Sequence, residues 1–235
     1  VEEFRDGPET LGDGQGRLIR TDSLLPDMPV SKSCARPYDF DADGDLDLFV
    51  GGRVVPGQYP LAPRSFLLQN DGTGRFTDVT AALAPVLLQP GMVTDAAWAD
   101  LDADGRVELL ICGEWMPIRV FSRQTDGSFV ETSVRFFERP FSGWWNCLLL
   151  ADFDHDGDPD LIGGNLGLNS QLKASEKEPA TLVYRDFDGN GSIDPILCFY
   201  NQGKNYPFLT RDELLEQIAA MRPRFTSYEQ FANAT

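Results

Sequence analysis

The sequence predicts an all-β chain of repeated four-stranded antiparallel blades, and three observations predict it. A nine-residue pattern, D-x-D-x-D-G-x-x-D, occurs at residues 39–47 and 152–160 and, with Glu at position 9 or Asn at position 5, again at 100–108 and 186–194. Each copy is followed by a short apolar run, such as Leu48-Phe49-Val50 or Leu109-Leu110-Ile111, of the length and composition of a buried strand. Between copies a D-G turn recurs, at residues 70–74 and 125–128, with strand-like segments on both sides. Four strands per repeat, at periods of 61 and 52 residues between the first three loops, is the signature of propeller blades. The expected fold is a partial β-propeller of about three and a half blades with a short C-terminal helical segment.

The elements follow in order. Residues 1–30 read as the end of a preceding blade, with a turn at 12–16 leading into a strand at 17–20. The first full unit has strands at 33–38 and 46–50 flanking the acidic loop. A third strand at 65–69 and a fourth at 75–79 flank the D-G turn. The second unit runs from about Met92 to Val134, and the third starts near Trp144. The fourth loop comes only 34 residues after the third, where the third unit needs its own D-G turn. It reads as that hairpin, with strands at 181–184 and 196–200; a new blade after a shortened predecessor is the close alternative. Residues 31–206 then hold the blades, and 207–235 form a helical insertion or boundary. There Thr210 and Glu213 make a capping box, Leu214, Leu215, Ile218 and Met221 share one face, and Pro223 ends the helix. A second helix starts near Thr226-Ser227-Tyr228.

The four loops are candidate metal sites. The first offers Asp39, Asp41, Asp43, Asp45 and Asp47. The second offers Asp100, Asp102, Asp104, Arg106 (through its backbone carbonyl) and Glu108. The third offers Asp152, Asp154, Asp156, Asp158 and Asp160, and the fourth Asp186, Asp188, Asn190, Ser192 and Asp194. Oxygen-only donors at positions 1, 3, 5 and 9, with glycine at 6 for the sharp turn, suit Ca²⁺, up to four ions in all. An EF-hand is excluded, because position 12 is Val50, Ile111, Gly163 or Leu197 and not a glutamate. A soft-metal site is excluded too, since Cys34, Cys112, Cys147 and Cys198 and the lone His155 do not fall at ligand spacing. Arg106, and the longer Glu108 at position 9, set the second loop apart. Asn190 lowers the charge of the fourth, so these two loops should bind more weakly.

Charge and composition narrow the function classes. The net charge is −17, and the loops hold 17 of the 37 acidic residues, so the acidity is largely a metal signature. No basic stripe exists to meet nucleic-acid phosphates. No apolar run reaches the 18 residues of a membrane-spanning helix. The lone histidine, His155, sits at position 4 of the third loop, between ligand positions and pointing to solvent, which makes it a poor partner for Ser-His or Cys-His nucleophilic catalysis.

A second set of candidates lies past the second strands. Arg53 and Glu114 fall six residues after position 9 of their loops, and Asn165 five after. The spacing places them at one end of neighbouring blades, opposite the acidic loops. Trp115, Trp144, Trp145, Asn146 and Asn169 belong near the same end. Such a mixture suits a polar ligand, a glycan or a peptide. Equally, the tryptophans could be packing between blades, with Arg53 and Glu114 paired across the junction.

These loops and strands resemble the FG-GAP or VCBS-type calcium-binding propeller repeats of the integrin α-subunit head. Residues 51–57, 113–117, 143–146 and 164–170 look most like bacterial proteins of the cartilage acidic protein and UnbV type. The resemblance implies an extracellular, cell-surface or periplasmic chain, where calcium is near millimolar. It also implies a ring whose remaining blades come from a longer chain or from partner subunits. The function it implies is a non-catalytic binding or adhesion module for a glycan or protein. The alternative is a calcium-dependent, lyase-like polysaccharide enzyme, which needs a cation with an open position beside a substrate groove.

Overall fold

The structure is a computed structural model that describes residues 9–12, 15–21, 24–167 and 170–233. Strands make up 40% of the chain and helices 12%, arranged as several antiparallel sheets without a closed barrel, so the chain is all-β as its pattern predicts. Strands β1 (Glu9–Gly12) and β2 (Leu18–Thr21) form a hairpin; Asp13 and Gly14 of the expected turn lie outside the described residues. The first unit is β3 (Ser31–Tyr38), β4 (Asp47–Val54), β5 (Phe66–Asn70) and β6 (Phe76–Asp78), paired in that order, and is followed by helix α1 (Thr80–Leu83). The second is β7 (Met92–Ala99), β8 (Glu108–Pro117), β9 (Arg119–Arg123) and β10 (Phe129–Glu131), followed by α2 (Ser133–Phe136). The third begins with β11 (Ser142–Ala151) and β12 (Asp160–Asn165).

Two features depart from the expected pattern. The fourth loop does join two strands, β13 (Thr181–Arg185) and β14 (Asp194–Asn201), but β13 makes no pairing with β12. With β15 (Lys204–Pro207), these strands form a separate three-stranded sheet. The order strand, acidic loop, strand, strand is that of a new unit, which corrects the reading of this loop as the third unit's outer hairpin. The 34-residue period misled, because the described residues of the connection between β12 and β13 form no strand. Second, β11 also pairs with β8 at Ser142↔Pro117 and Trp144↔Glu114, so units two and three share one sheet at that end.

The core lies between the first two units, around Phe49, Leu67, Val93, Leu109, Ile111, Phe121 and Phe129. A smaller cluster of Val50, Phe66 and Leu68 is covered by Leu25, Met28 and Val30. The first strands run side by side in one direction. Trp98 Nε1 donates to the Arg36 carbonyl at 3.1 Å, and the Tyr38 and Trp98 rings stack at 5.1 Å. Buried Asp95 pairs with Arg36 of β3 and accepts the Leu148 N–H of β11 at 3.0 Å. One carboxylate thus bonds all three units, and it brings the first three acidic loops out at the same end.

The short helices have a repeated cause. In the first unit Thr80 Oγ1 accepts the Leu67 N–H at 2.8 Å and donates to Asp78, which Arg64 holds at 2.5 Å. In the second, Ser133 Oγ accepts the Val120 N–H at 3.0 Å and donates to Glu131, which Arg119 holds at 2.5 Å. Each clasp ties the end of the fourth strand to the third.

The helical segment opens with α3 (Arg211–Gln217), where Thr210 and Glu213 make the expected capping box. The helix stops before Ile218, earlier than Pro223 suggests, and continues as a 3₁₀ turn at 219–221. Helix α4 (Tyr228–Ala232) follows, capped by Ser227.

Candidate functional site: acidic loops at one end, an aromatic cleft at the other

The four loops share one set of backbone bonds, set by the aspartates themselves. The position-1 carboxylate accepts the position-6 glycine N–H in every copy: Gly44 to Asp39 at 3.0 Å, Gly105 to Asp100 at 2.9 Å, Gly157 to Asp152 at 3.2 Å and Gly191 to Asp186 at 2.9 Å. The position-9 carboxylate accepts the position-2 N–H: Phe40 to Asp47 at 3.1 Å, Leu101 to Glu108 at 3.1 Å, Phe153 to Asp160 at 2.8 Å and Phe187 to Asp194 at 2.9 Å. Position 4 is left-handed throughout, at Ala42, Ala103, His155 and Gly189. Only the last is glycine, so three loops hold a side chain in a conformation that costs energy.

This folding gathers oxygens. Carboxylate atoms within 4.8 Å of one another come from Asp39, Asp41 and Asp43 in the first loop. They come from Asp100, Asp102 and Glu108, from Asp152, Asp154 and Asp160, and from Asp186, Asp188 and Asp194 in the others. Of the predicted acidic ligands, Asp45, Asp47, Asp104, Asp156 and Asp158 stand outside these trios. Positions 5 and 7 bond each other within every loop. Asp45, Arg106, Asp158 and Ser192 donate their N–H groups to the position-5 side chains of Asp43, Asp104, Asp156 and Asn190. The four trios could each hold a cation, and all-oxygen donors select a hard one.

Burial and neighbouring charge raise several of the loop carboxylates, while Asp104 is lowered by Arg106 and Asp186 by backbone N–H donors. Asp47 is fully buried, and burial pushes its carboxyl up to about 6 against two N–H donors, Phe40 and Asn70. Asp45 is raised first by desolvation and then by Asp43, Asp41 and Asp39, and one of its oxygens is shielded from water without a hydrogen-bond partner. Asp158 is raised, chiefly by the Asp156 charge beside it. Glu108, buried, is raised by desolvation. Both oxygens of Asp102 lack a hydrogen-bond donor; its contact with Arg135 is an ion pair without hydrogen-bond geometry. A shielded carboxylate oxygen without a donor is what a cation ligand looks like before the cation arrives, so these residues fit a bound ion. Two supporting residues carry no signal of their own in the sequence. Gln69 Nε2 donates to Asp41 at 2.5 Å, and Asn70 donates its N–H to Asp47 at 2.8 Å. Both precede the D-G turn, and only the folded hairpin brings them to the loop.

The other end of the strands holds a cleft of about 670 Å³. Trp115, Trp144 and Asn165 line it, with Phe141 and Leu166. The two indole rings lie 5.4 Å apart at 42°. Trp115 sits at φ +58, a strained backbone for a bulky side chain. Its Nε1 donates to Tyr59 Oη at 2.8 Å, and Tyr59 Oη donates to Glu114 at 3.4 Å. Glu114 is buried and paired with Arg53, so these two predicted ligand residues join across the unit junction and position Trp115 without lining the cleft. Trp145 is packing: its Nε1 donates to the Phe141 carbonyl at 2.9 Å, and its ring fills the space over Gly163, whose added Cβ would sit 2.9 Å from it. Asn146 is exposed and away from the cleft, and Asn169 lies outside the described residues.

A sequence model described as an FG-GAP-like repeat matches the chain twice, over residues 39–111 and 100–163. Both matches begin on the first aspartate of an acidic loop and end within the second strand of the next unit. Together they cover more than half of the 235 residues. No curated protein matches the chain.

Proposed function

The chain belongs to the FG-GAP-like repeat family, and from that premise we propose that it is a calcium-stabilised, non-catalytic binding module. It works outside the cytoplasm, where calcium is plentiful, and presents the Trp115–Trp144 cleft to a glycan or protein ligand. The likeness to VCBS repeats and to bacterial cartilage acidic protein and UnbV-type chains belongs to the same reading, as does completion of the ring by further blades.

The observation that carries the proposal is the separation of the two ends. Strand β8 begins on a loop residue, Glu108, and reaches the cleft at Trp115, seven residues on. At roughly 3.3 Å per residue that is about 23 Å of strand. A bound ion would stiffen the strand ends without touching what enters the cleft. A lyase needs its cation beside the substrate, so the separation favours binding over catalysis. The cleft itself is largely apolar with a few polar groups, the usual character of a ligand site.

The test is capture on a glycan array, with a protein array from the same surroundings, in millimolar calcium, for the wild type and Trp144→Ala. Expected is a defined set of captured ligands that Trp144→Ala loses while its melting point holds. Ligands captured equally by both proteins would move the binding site away from the cleft.

A further inference from the structure

We propose that the second acidic loop is charge-compensated by two of the chain's own arginines, so that it takes a divalent cation last, well above the concentration that fills the other three. This rests on the cation reading above. The loops differ at position 7, which is Asp45, Arg106, Asp158 and Ser192 in turn. Arg106 turns back on its own loop: Nε and Nη2 donate to Asp104 Oδ2 at 3.1 and 2.6 Å. Arg135, from helix α2, pairs with Asp102. Positions 3 and 5 therefore each face a guanidinium. Among the described residues, no basic side chain pairs with a carboxylate of the other three loops.

The charge balance follows. Four carboxylates against two guanidiniums leave the second loop a net −2, where loops one, three and four hold −5, −5 and −3. Arg135 sits on Asp102, a member of the trio, and Arg106 on the neighbouring Asp104, so a divalent ion entering the trio must displace the Asp102 pair or share that carboxylate with it. Exposed ion pairs such as these are worth up to about fivefold each, so displacing both weakens binding on the order of tenfold. The site is weakened and not abolished, because Asp102 still offers shielded oxygens. Both arginines are more than half exposed, at 60% and 56%, so removing them disturbs no core.

The experiment is calorimetric titration of the EDTA-stripped full chain with calcium chloride. The wild type should show three tighter sites and one about tenfold weaker or more. Arg106→Ser with Arg135→Ser should bring the fourth site up to join the others. Asp100→Ala should remove only the weak site, whereas Asp152→Ala should remove one of the three. Four equal sites in the wild type would overturn this inference and leave the cation reading standing. A weak site unmoved by the double arginine change, or an Asp100→Ala protein that loses a tight site, would also overturn it. No calcium binding at all would overturn both.

Discussion

At the scale of single residues, Asp47 decides how the loops answer to pH. Its carboxyl is buried beneath the first loop and raised to about 6 from an ordinary 3.8. A raised carboxyl favours the protonated form in the fold. In the ion-free protein its contribution is therefore most favourable below the ordinary carboxylate range, and it is lost as pH climbs from about 4 to 6. Holding the charge there costs on the order of 3 kcal/mol. On the proposed calcium reading the sign reverses, since a bound ion needs the carboxylates near it ionised. Two outcomes are expected. Ion-free stability, followed by urea unfolding across pH 4 to 7, should carry a component that falls with rising pH in the wild type and is lost in Asp47→Asn, leaving the contributions of Asp45, Glu108 and Asp158. The first loop's apparent calcium affinity should begin to weaken below about pH 6. A flat ion-free profile for the wild type would remove Asp47 from this role.

At the scale of elements, contacts between strands decide what holds. Asp95 bonds to three units at once, through Arg36, the Leu148 N–H and the Ala96 N–H at 2.8 Å. Asp95→Ala strands a buried N–H and an arginine, and should cost about 2–3 kcal/mol in chemical unfolding. A cost below about 0.5 kcal/mol would mean that the units are joined by apolar packing alone. Thr80→Val keeps the shape but leaves the buried Leu67 N–H without an acceptor, and about 1–3 kcal/mol of destabilisation is expected by the same measurement. Much of this scale was legible in the sequence. The loops, the strands of the first unit and the Thr210 capping box follow from turn chemistry and hydrophobic pattern, both local signals. The sheet to which β13 belongs was not legible, because pairing is a long-range choice that a period of 34 residues does not determine. Nor were the clasps. Arg64-x-Phe66 and Arg119-x-Phe121, each followed by an acid and then a hydroxyl residue two positions on, are a repeated signal. Its meaning emerges only when Arg64 lies over Phe66 at 5.0 Å, Arg119 over Phe121 at 5.1 Å, and each arginine reaches its acid.

At the scale of the whole molecule, the chain places its first three acidic loops at one end and aromatic surface at the other, with strands between. Equal spacing in the sequence put Arg53, Glu114 and Asn165 at the cleft end. It could not say which of them face a ligand, because the Arg53–Glu114 pair forms between units. Seventeen of the 37 acidic residues sit in four short loops, where like charges at about 4 Å repel by about 1 kcal/mol per pair even in water. A cation that binds the folded loops and not the unfolded chain adds RT ln(1 + [Ca²⁺]/Kd) per site, about 2.7 kcal/mol at a hundredfold excess over Kd. The most direct test is the thermal unfolding midpoint of the full chain in EDTA and in millimolar calcium at pH 7. A midpoint that rises by several degrees in calcium, and rises less for Asp154→Ala than for Asn190→Ala, is the predicted result. The same midpoint in EDTA and in calcium would contradict it, and the four loops would then be acidic turns.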